Sequence, residues 1–149
     1  SDEAFADLLP IASEYDAPIV ATHSNARAVA DAPRNLTDDQ LRTIAKSGGV
    51  AGLNLHGGFL RVGAAAGMAD AVKMTKHMIA VAGVEHVGIG SDFDGASPPS
   101  DLADASRMPA LQDALKKAGL SESDLRAVFE GNVRRVLAWK PKAKVDGAR

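Results

Sequence analysis

Three short apolar segments, alternating with helical patterns, constrain the fold more than any other feature of this 149-residue sequence. They read "APIVATHS" at 17–24, "GVAGLNLH" at 49–56 and "HVGIGSD" at 86–92. Each segment is apolar on both faces, which is typical of a strand covered on both sides in a parallel sheet. The alternation of strands with helices favours parallel strands joined by crossover helices. The sequence therefore predicts an α/β fold in which three strands form a small open sheet or part of an eight-stranded barrel.

Apolar stripes, N-terminal capping residues and terminal glycines mark the predicted helices. Ser1 is the predicted N-cap of the first helix, and Thr37 with Gln40 forms a capping box at the start of the second. The predicted helices lie at 2–15, from Thr37 to Gly48, at 68–82, around 109–118 and from Ser121 onward. The resulting order is α-β-α-β-α-β-α-α, and we expect the segment 139–149 to be a solvated tail outside the folded part, 1–138.

The composition excludes several classes of function. The net charge of −2 provides no basic patch for nucleic acid. Cysteine is absent, which excludes disulfides and thiolate metal sites. The sequence shows no apolar run of about 20 residues that could span a membrane and no signal peptide, so a cytoplasmic location is expected. The chain begins with Ser1 and opens directly into a helical pattern, from which we expect a processed chain or a fragment.

Polar side chains follow all three predicted strands. In parallel α/β folds, functional residues collect at the carboxyl ends of strands, so these side chains are expected to share one edge of the sheet. They are His23, Ser24 and Asn25 after the first strand, Asn54 and His56 after the second, and Asp92 and Asp94 after the third.

Each candidate has a functional and a structural interpretation. His23 could ligate a metal through a neutral imidazole, or be a hydrogen-bonded strand-end histidine. Asp92 could be a general acid/base or an outer metal contact, or a loop carboxylate accepting backbone N–H groups. Arg34 could hold a substrate carboxylate with its two-pronged guanidinium, or pair with Asp38 or Asp39.

Other polar residues are predicted to have structural roles. Asp94 fits a turn carboxylate before Gly95. His56 precedes two glycines and is predicted to be exposed at a turn. His77 lies on a helix and His86 at a strand start, both on the wrong side of the sheet for the site.

The remaining motifs narrow the reaction class. Gly88 and Gly90 are predicted to let the third strand pack closely, because no phosphate-binding glycine motif follows them. No GxSxG motif is present and no cysteine can act as a nucleophile. Metal-assisted hydrolysis is the reaction class that remains.

Four stretches of the chain resemble the zinc membrane (renal) dipeptidase family. They are "THSNARAV", "PRNLTDDQLRTIAKSGGVAGLN", "HVGIGSDFDG" and "GNVRRV", and the similarity runs from Ser1 to about Leu137. The resemblance implies a metallodipeptidase with a (β/α)8 TIM barrel and two zinc ions bridged by hydroxide. It also implies that His23 ligates zinc, that Arg34 binds the substrate carboxylate, and that Asp92, near the bridging water, handles the proton and contacts the substrate.

The sequence departs from the family pattern in the zinc ligands. Family members also carry a His-x-Asp pair on the first strand, a bridging glutamate and another zinc histidine, and this chain has none of these. The resemblance thus implies the last three strands of the barrel and one zinc ligand, in a fragment that is inactive by itself. The expected partners are a dipeptide substrate and the missing amino-terminal part of the barrel, with a homo-oligomer left open.

Two alternatives stay open on the sequence alone. The chain could belong to another metal-dependent amidohydrolase with the same polar edge. It could also be a non-catalytic α/β module that binds an acidic ligand through Arg34.

Overall fold

A computed structural model describes residues 2–141, and these residues form an α/β fold around a three-stranded parallel sheet. The strands are β1 (Val20–Ala21), β2 (Val50–Leu53) and β3 (Val87–Ile89), in that spatial order. Val20 pairs with Val50, and Ala51 pairs with Val87. The parallel pairing confirms the prediction. The paired strands are shorter than the predicted segments, because strand pairing ends before the polar residues at the end of each segment.

Helices flank the strands in the predicted order. They are α1 (Asp2–Glu14), α2 (Asp38–Lys46), α3 (Gly57–Leu60), α4 (Met68–Ala82), α5 (Met108–Lys117), α6 (Glu122–Arg126) and α7 (Asn132–Leu137). Short 3-10 turns lie at Val84–His86, Ser100–Leu102 and Ala105–Arg107, and a π turn over Ala127–Gly131 joins α6 to α7. The short helix α3 was not predicted. Ser1 and most of the predicted tail, 142–149, lie outside the described residues.

Capping boxes fix the starts of two helices. The Thr37 hydroxyl accepts the Gln40 N–H at 3.2 Å, and the Gln40 side chain accepts the Thr37 N–H at 2.9 Å, which confirms the predicted start of α2. Ser121 and Asp124 repeat this arrangement at the start of α6. Each box satisfies two backbone donors that a helix start would otherwise leave unpaired.

The core lies between the sheet and the helices that pack on it. β2 is buried along its whole length, and Leu41 of α2 and Met74 of α4, the helices that pack on it, are fully buried. Leu111 of α5, which packs against α4, is fully buried as well. Covering of both faces was predicted for all three strands, and for β1 this is wrong. Val20 is 45% exposed, and within the described residues β1 pairs with β2 alone.

An exposed apolar surface continues from β1 onto α1. Leu8 and Ile11 are 41% and 57% exposed, whereas Ala12 of the same helix is buried. We call Leu8, Ile11 and Val20 together the α1–β1 face. Its aliphatic side chains meet solvent in the described part of the chain.

The last helical segment is tied to the start of β3 by one buried amide. Asn132 is 5% exposed and follows the π turn directly. Its Nδ2 donates to the carbonyl of Val84 at 2.7 Å and to that of Val87 at 2.8 Å. A single side chain therefore satisfies two carbonyl groups at the amino end of the strand, opposite the end that carries the polar residues.

Candidate functional site

A cavity of about 290 Å³ lies at the carboxyl end of the sheet. Its walls are formed by His23, Arg34, His56, Phe59, Asp92 and Gly95. His23 follows β1, His56 follows β2 and Asp92 follows β3, so the three strands each deliver one polar side chain to the same space. This is the edge at which parallel α/β folds place their functional groups.

His23 and Arg34 are in direct contact within this cavity. Arg34 Nη2 lies 2.6 Å from His23 Nε2, and His23 Nδ1 lies 2.7 Å from the Thr22 hydroxyl. A guanidinium can only donate, so His23 Nε2 accepts and Nδ1 carries the ring proton. The Nε2 lone pair is therefore directed at the Arg34 guanidinium, which is a cation. The tautomer with its proton on Nδ1 is also the one that a histidine needs to bind a metal ion through Nε2.

The alternative partners considered for Arg34 are occupied elsewhere. Asp38 lies 2.8 Å from His77, and Asp39 lies 2.8 Å from Arg42. The structural interpretation in which Arg34 pairs with either aspartate is therefore wrong. The guanidinium is exposed and faces the cavity.

A second arginine holds the loop that carries Arg34. Arg27 donates to the carbonyls of Pro33 at 3.2 Å and Asn35 at 3.0 Å, and makes two hydrogen bonds to Asp2 on α1. These bonds, with a further one from Gln40, lower the pKa of Asp2 from its usual 3.8 to about 2. The start of α1 is thus fastened to the site loop by a charged pair on the surface.

Two glycines provide the space that His23 needs. The backbone bulges after β1, so that Ser24 N–H donates to the Gly52 carbonyl at 2.9 Å. A Cβ atom on Gly52 would lie 2.2 Å from the Thr22 carbonyl oxygen, and one on Gly90 would lie 1.8 Å from it. We call Gly52 and Gly90 the glycine seat, because the Thr22–His23 peptide rests directly on both.

Both glycines singled out on the third strand are close-packing residues, as predicted. Gly90 lies under the Thr22 carbonyl, and a Cβ on Gly88 would come 3.0 Å from Val133 and 3.1 Å from Val50. Gly88 therefore serves the packing of α7 against the sheet, whereas Gly90 serves the site.

Asp92 has an unusual backbone conformation for a carboxylate residue. Its φ is +62°, in the left-handed region that costs a residue with a Cβ about 1–2 kcal/mol. Its Oδ2 accepts from Asn54 Nδ2 at 3.2 Å. A Cβ on Gly95 would lie 2.6 Å from Asp92 Oδ1, so this glycine leaves room for the carboxylate. Asp94 is exposed in the following turn, as predicted.

His56 was predicted to be exposed at a turn, and this is wrong. It precedes α3, is only partly exposed, and lines the cavity. Its Nδ1 accepts the Ser97 N–H at 3.1 Å, and its ring packs against Phe59 with 4.5 Å between centroids. The position of His56 after a strand indicated a site residue, but the two glycines that follow it led to the prediction of an exposed turn.

Two further histidines lie outside the cavity, in the structural positions predicted for them. His77 Nε2 bonds Asp38 between α4 and α2, and His86 Nδ1 lies 2.9 Å from the Gly49 carbonyl. Both contacts join neighbouring elements.

The described residues do not complete a metal centre. Within 2–141, no group of three or more His, Cys, Asp or Glu side chains could hold a metal ion. His23 offers one imidazole in the tautomer that can bind a metal ion through Nε2, and the Arg34 guanidinium is hydrogen-bonded to that same nitrogen. Over the same range, no helix is long and apolar enough to cross a membrane.

Similarity to known proteins identifies the family of this chain. The family model for "Membrane dipeptidase (Peptidase family M19)" matches residues 1–145. A Klebsiella pneumoniae protein described as "Uncharacterized protein in pqqA 5'region" is 40% identical over 144 residues, which is 92% of this chain and 51% of that protein. Human Dipeptidase 3 is 36% identical over 131 residues, covering 87% of this chain and 27% of its own length.

The fold is similar to that of a solved family structure. A metallo peptidase from Rhodobacter sphaeroides, liganded with a phosphinate mimic of the dipeptide L-Ala-D-Ala, matches with a TM-score of 0.81 and 43% identity. The match covers 89% of this chain and 38% of that one. The chain thus spans about half of the length of the Klebsiella relative and less of the other two. It belongs to the membrane dipeptidase family, Peptidase family M19.

Proposed function

We propose that residues 1–138 form the last three strands and flanking helices of a (β/α)8 barrel in a zinc-dependent dipeptidase. The observation that carries the proposal is the meeting of an imidazole, a guanidinium and a carboxylate in one cavity at the carboxyl end of a parallel sheet. Because the chain belongs to the dipeptidase family, we interpret these three groups as a metal ligand, a binder of the substrate carboxylate and a general base.

Arg34 is proposed to bind the free carboxylate of the dipeptide. Its guanidinium is exposed to the cavity, and no carboxylate of the described residues is paired with it. A two-pronged hydrogen bond from arginine fits the planar carboxylate group. Because this carboxylate is at the end of the substrate, the contact selects short peptides.

Asp92 is proposed to be the general base and acid. A carboxylate at the cavity wall, held by Asn54, can take the proton from the attacking water and return it to the leaving amine. The left-handed backbone at Asp92 supports this assignment, since strained residues cluster at active sites.

Zinc is proposed as the cofactor, two ions per intact enzyme, with His23 as one ligand. Such ions would supply electrostatic activation of the water and of the scissile carbonyl. The other ligands would come from residues that the described part of this chain does not contain. The 149-residue chain alone is therefore proposed to be inactive.

The α1–β1 face supports the proposal that another part of the barrel packs here. Leu8, Ile11 and Val20 are exposed, and β1 has one hydrogen-bonded neighbour in the described part of the sheet. Unpaired strand edges and exposed aliphatic surfaces attract partners. The proposed occupant is the amino-terminal portion of the barrel, and a homo-oligomer of the isolated chain is the competing outcome.

The proposed location is the cytoplasm.

The experiment uses the longer protein that carries these residues, purified with its bound metal. L-Ala-D-Ala and L-Ala-L-Ala are the first substrates, because a mimic of the former is bound to the Rhodobacter relative. Arg34→Ala should raise KM for the dipeptide about ten- to a hundredfold. The corresponding dipeptide amide, which lacks the carboxylate, should lose much less.

Arg42→Ala is the matched control, because Arg42 is an exposed arginine that pairs with Asp39 away from the cavity. It should leave KM unchanged. Equal losses for acid and amide in Arg34→Ala would contradict the proposed role. Preference for N-acyl amino acids over dipeptides would indicate another amidohydrolase, and a zinc-free protein that binds acids without hydrolysis would indicate a binding module.

A further inference from the structure

One buried amide touches all three strand ends that form the cavity. Asn54 is fully buried directly after β2. Its Oδ1 accepts the backbone N–H of His56 at 2.6 Å, and its Nδ2 donates to Asp92 Oδ2 at 3.2 Å and to the His23 carbonyl at 3.4 Å. The side chain thereby uses its acceptor and both of its donors on residues of the site.

The backbone of Asn54 is fixed independently of these contacts. Asn25 Oδ1 accepts the Asn54 N–H at 2.8 Å, and Asn25 Nδ2 donates to the Asn54 carbonyl at 2.9 Å. Asn25 Nδ2 also donates to the Phe59 carbonyl at 3.1 Å, and Asn25 is itself fully buried. The first asparagine therefore holds the second in place, and the second reaches the carboxylate.

Asp92 needs such a contact more than an ordinary carboxylate does. Its φ of +62° is unfavourable for a residue with a Cβ, so surrounding contacts have to maintain its orientation. Among the hydrogen bonds of the described residues, Asn54 Nδ2 is the side-chain donor to its carboxylate. On the other side, the missing Cβ of Gly95 leaves the Oδ1 atom space, but provides no donor to it.

We propose that Asn54 is a positioning residue that holds the Asp92 carboxylate in its catalytic orientation and couples it to the His23 and His56 segments. The inference rests on the proposed function, because it takes Asp92 to be the general base. Asn54 acts through Asp92 and is not itself a catalytic residue. It is a buried hydrogen-bond donor whose amide nitrogen is required, and a side chain of the same shape without that donor cannot replace it.

Asn54→Asp is the sharpest substitution, because it keeps the shape and replaces the donor with a second carboxylate oxygen next to Asp92 Oδ2. In the longer, metal-containing protein, kcat for L-Ala-D-Ala should fall about 10- to 100-fold, the loss expected from misplacing a reacting group by roughly 1 Å. KM should change less than threefold, because Arg34 is untouched.

Asn132→Asp is the matched control. It makes the same amide-to-carboxylate change in a buried asparagine, but Asn132 lies at the amino end of β3, away from the cavity, and its Nδ2 bonds only the backbone carbonyls of Val84 and Val87. Both variants should be destabilised, and kcat of folded Asn132→Asp should stay within about threefold of the parent. If kcat falls equally in both variants, Asn54 has only a structural role and the inference is wrong.

A double-mutant cycle with Asp92→Asn separates positioning from general damage. If Asn54 acts through Asp92, adding Asn54→Asp to Asp92→Asn should lower kcat no further. Independent, additive losses would overturn the inference. Should Asn54→Asp fail to fold, Asn54→Ser tests the same point, because a serine side chain is too short to make the 3.2 Å contact with Asp92.

The outcomes also separate this inference from the proposed function. A parent protein without dipeptidase activity would refute the proposed function. An active parent in which Asp92→Asn reduces kcat, but Asn54→Asp does not, would refute the positioning role alone.

Discussion

The glycine seat under His23 can be tested by adding one carbon atom. In Gly90→Ala, the new Cβ would lie 1.8 Å from the Thr22 carbonyl oxygen and 3.1 Å from His23 Cα. An ordinary carbon–oxygen contact is about 3.2 Å or longer, so the two backbones have to separate by roughly 1.4 Å. No side-chain rotation relieves this overlap, because both partners are main-chain atoms.

The cost depends on which backbone moves. β3 is paired with β2 and packed beneath α7, whereas Thr22 is exposed and can retreat toward solvent. Overpacking of this kind costs about 1–3 kcal/mol, and we expect the upper part of that range because the contact is backbone to backbone. His23 should move with Thr22 by more than about 1 Å, which is enough to reduce the rate about a hundredfold if its position matters for the reaction.

Urea unfolding and dipeptide hydrolysis should be measured side by side, with Gly131→Ala as the control. Gly131 has helical angles (φ −59°, ψ −44°), and its nearest neighbour to a new Cβ is 3.6 Å away. There alanine should be neutral or stabilise by up to about 1 kcal/mol. The free energy of unfolding of Gly90→Ala could instead lie within about 0.5 kcal/mol of that of the parent, with activity retained. That result would show that the close approach of Gly90 to the Thr22 carbonyl does not position His23.

Two further outcomes are expected. Because hydrogen bonds from Arg27 and Gln40 hold the pKa of Asp2 at about 2, below its usual 3.8, its contribution to stability is complete above the unfolded pKa and is lost as pH falls toward 2. In Asp2→Asn, the free energy of unfolding should therefore fall less steeply than in the parent as the pH drops from about 4 to 2. An unchanged slope would show that the Arg27 contact contributes nothing to folding. The isolated 149-residue chain should show neither dipeptidase activity nor stoichiometric zinc, and should self-associate through the α1–β1 face; sedimentation and metal analysis of a monomer holding two zinc ions would contradict this.

Much of the fold follows from local sequence signals. The capping box at Thr37, the glycines that follow α2 and α4, and the alternation of apolar runs with helical stripes are short-range features, and each led to the element observed. Strand length was overestimated for β1. The predicted strand segment is 17–24, but the ladder with β2 covers only Val20–Ala21. Beyond Ala21 the chain bulges over the glycine seat, which depends on contacts between strands distant in sequence.

The site was predicted less completely than the fold. Strand-end position was enough to select His23 and Asp92, whereas Arg34 was selected from its side-chain chemistry in the loop before α2 and from the family resemblance. The structure brings all three to one cavity. It was not enough for His56, because two following glycines suggested an exposed turn where the structure has a short helix. The role of Asn54 as a hydrogen-bonding centre was also missed, since an amide's partners are set by three-dimensional proximity.

The π turn between α6 and α7 has a consequence for how chain length can vary in this family. A π turn accommodates one more residue than an α turn. Loss of one residue from 127–131 would therefore leave an ordinary α-helix, with Leu125 before the turn and Asn132 after it still directed at the core. The same deletion elsewhere in these helices would rotate every later side chain by about 100° around the helix axis. A one-residue gap at this turn therefore keeps the register of the helix that follows, so that Asn132 can still bond the start of β3.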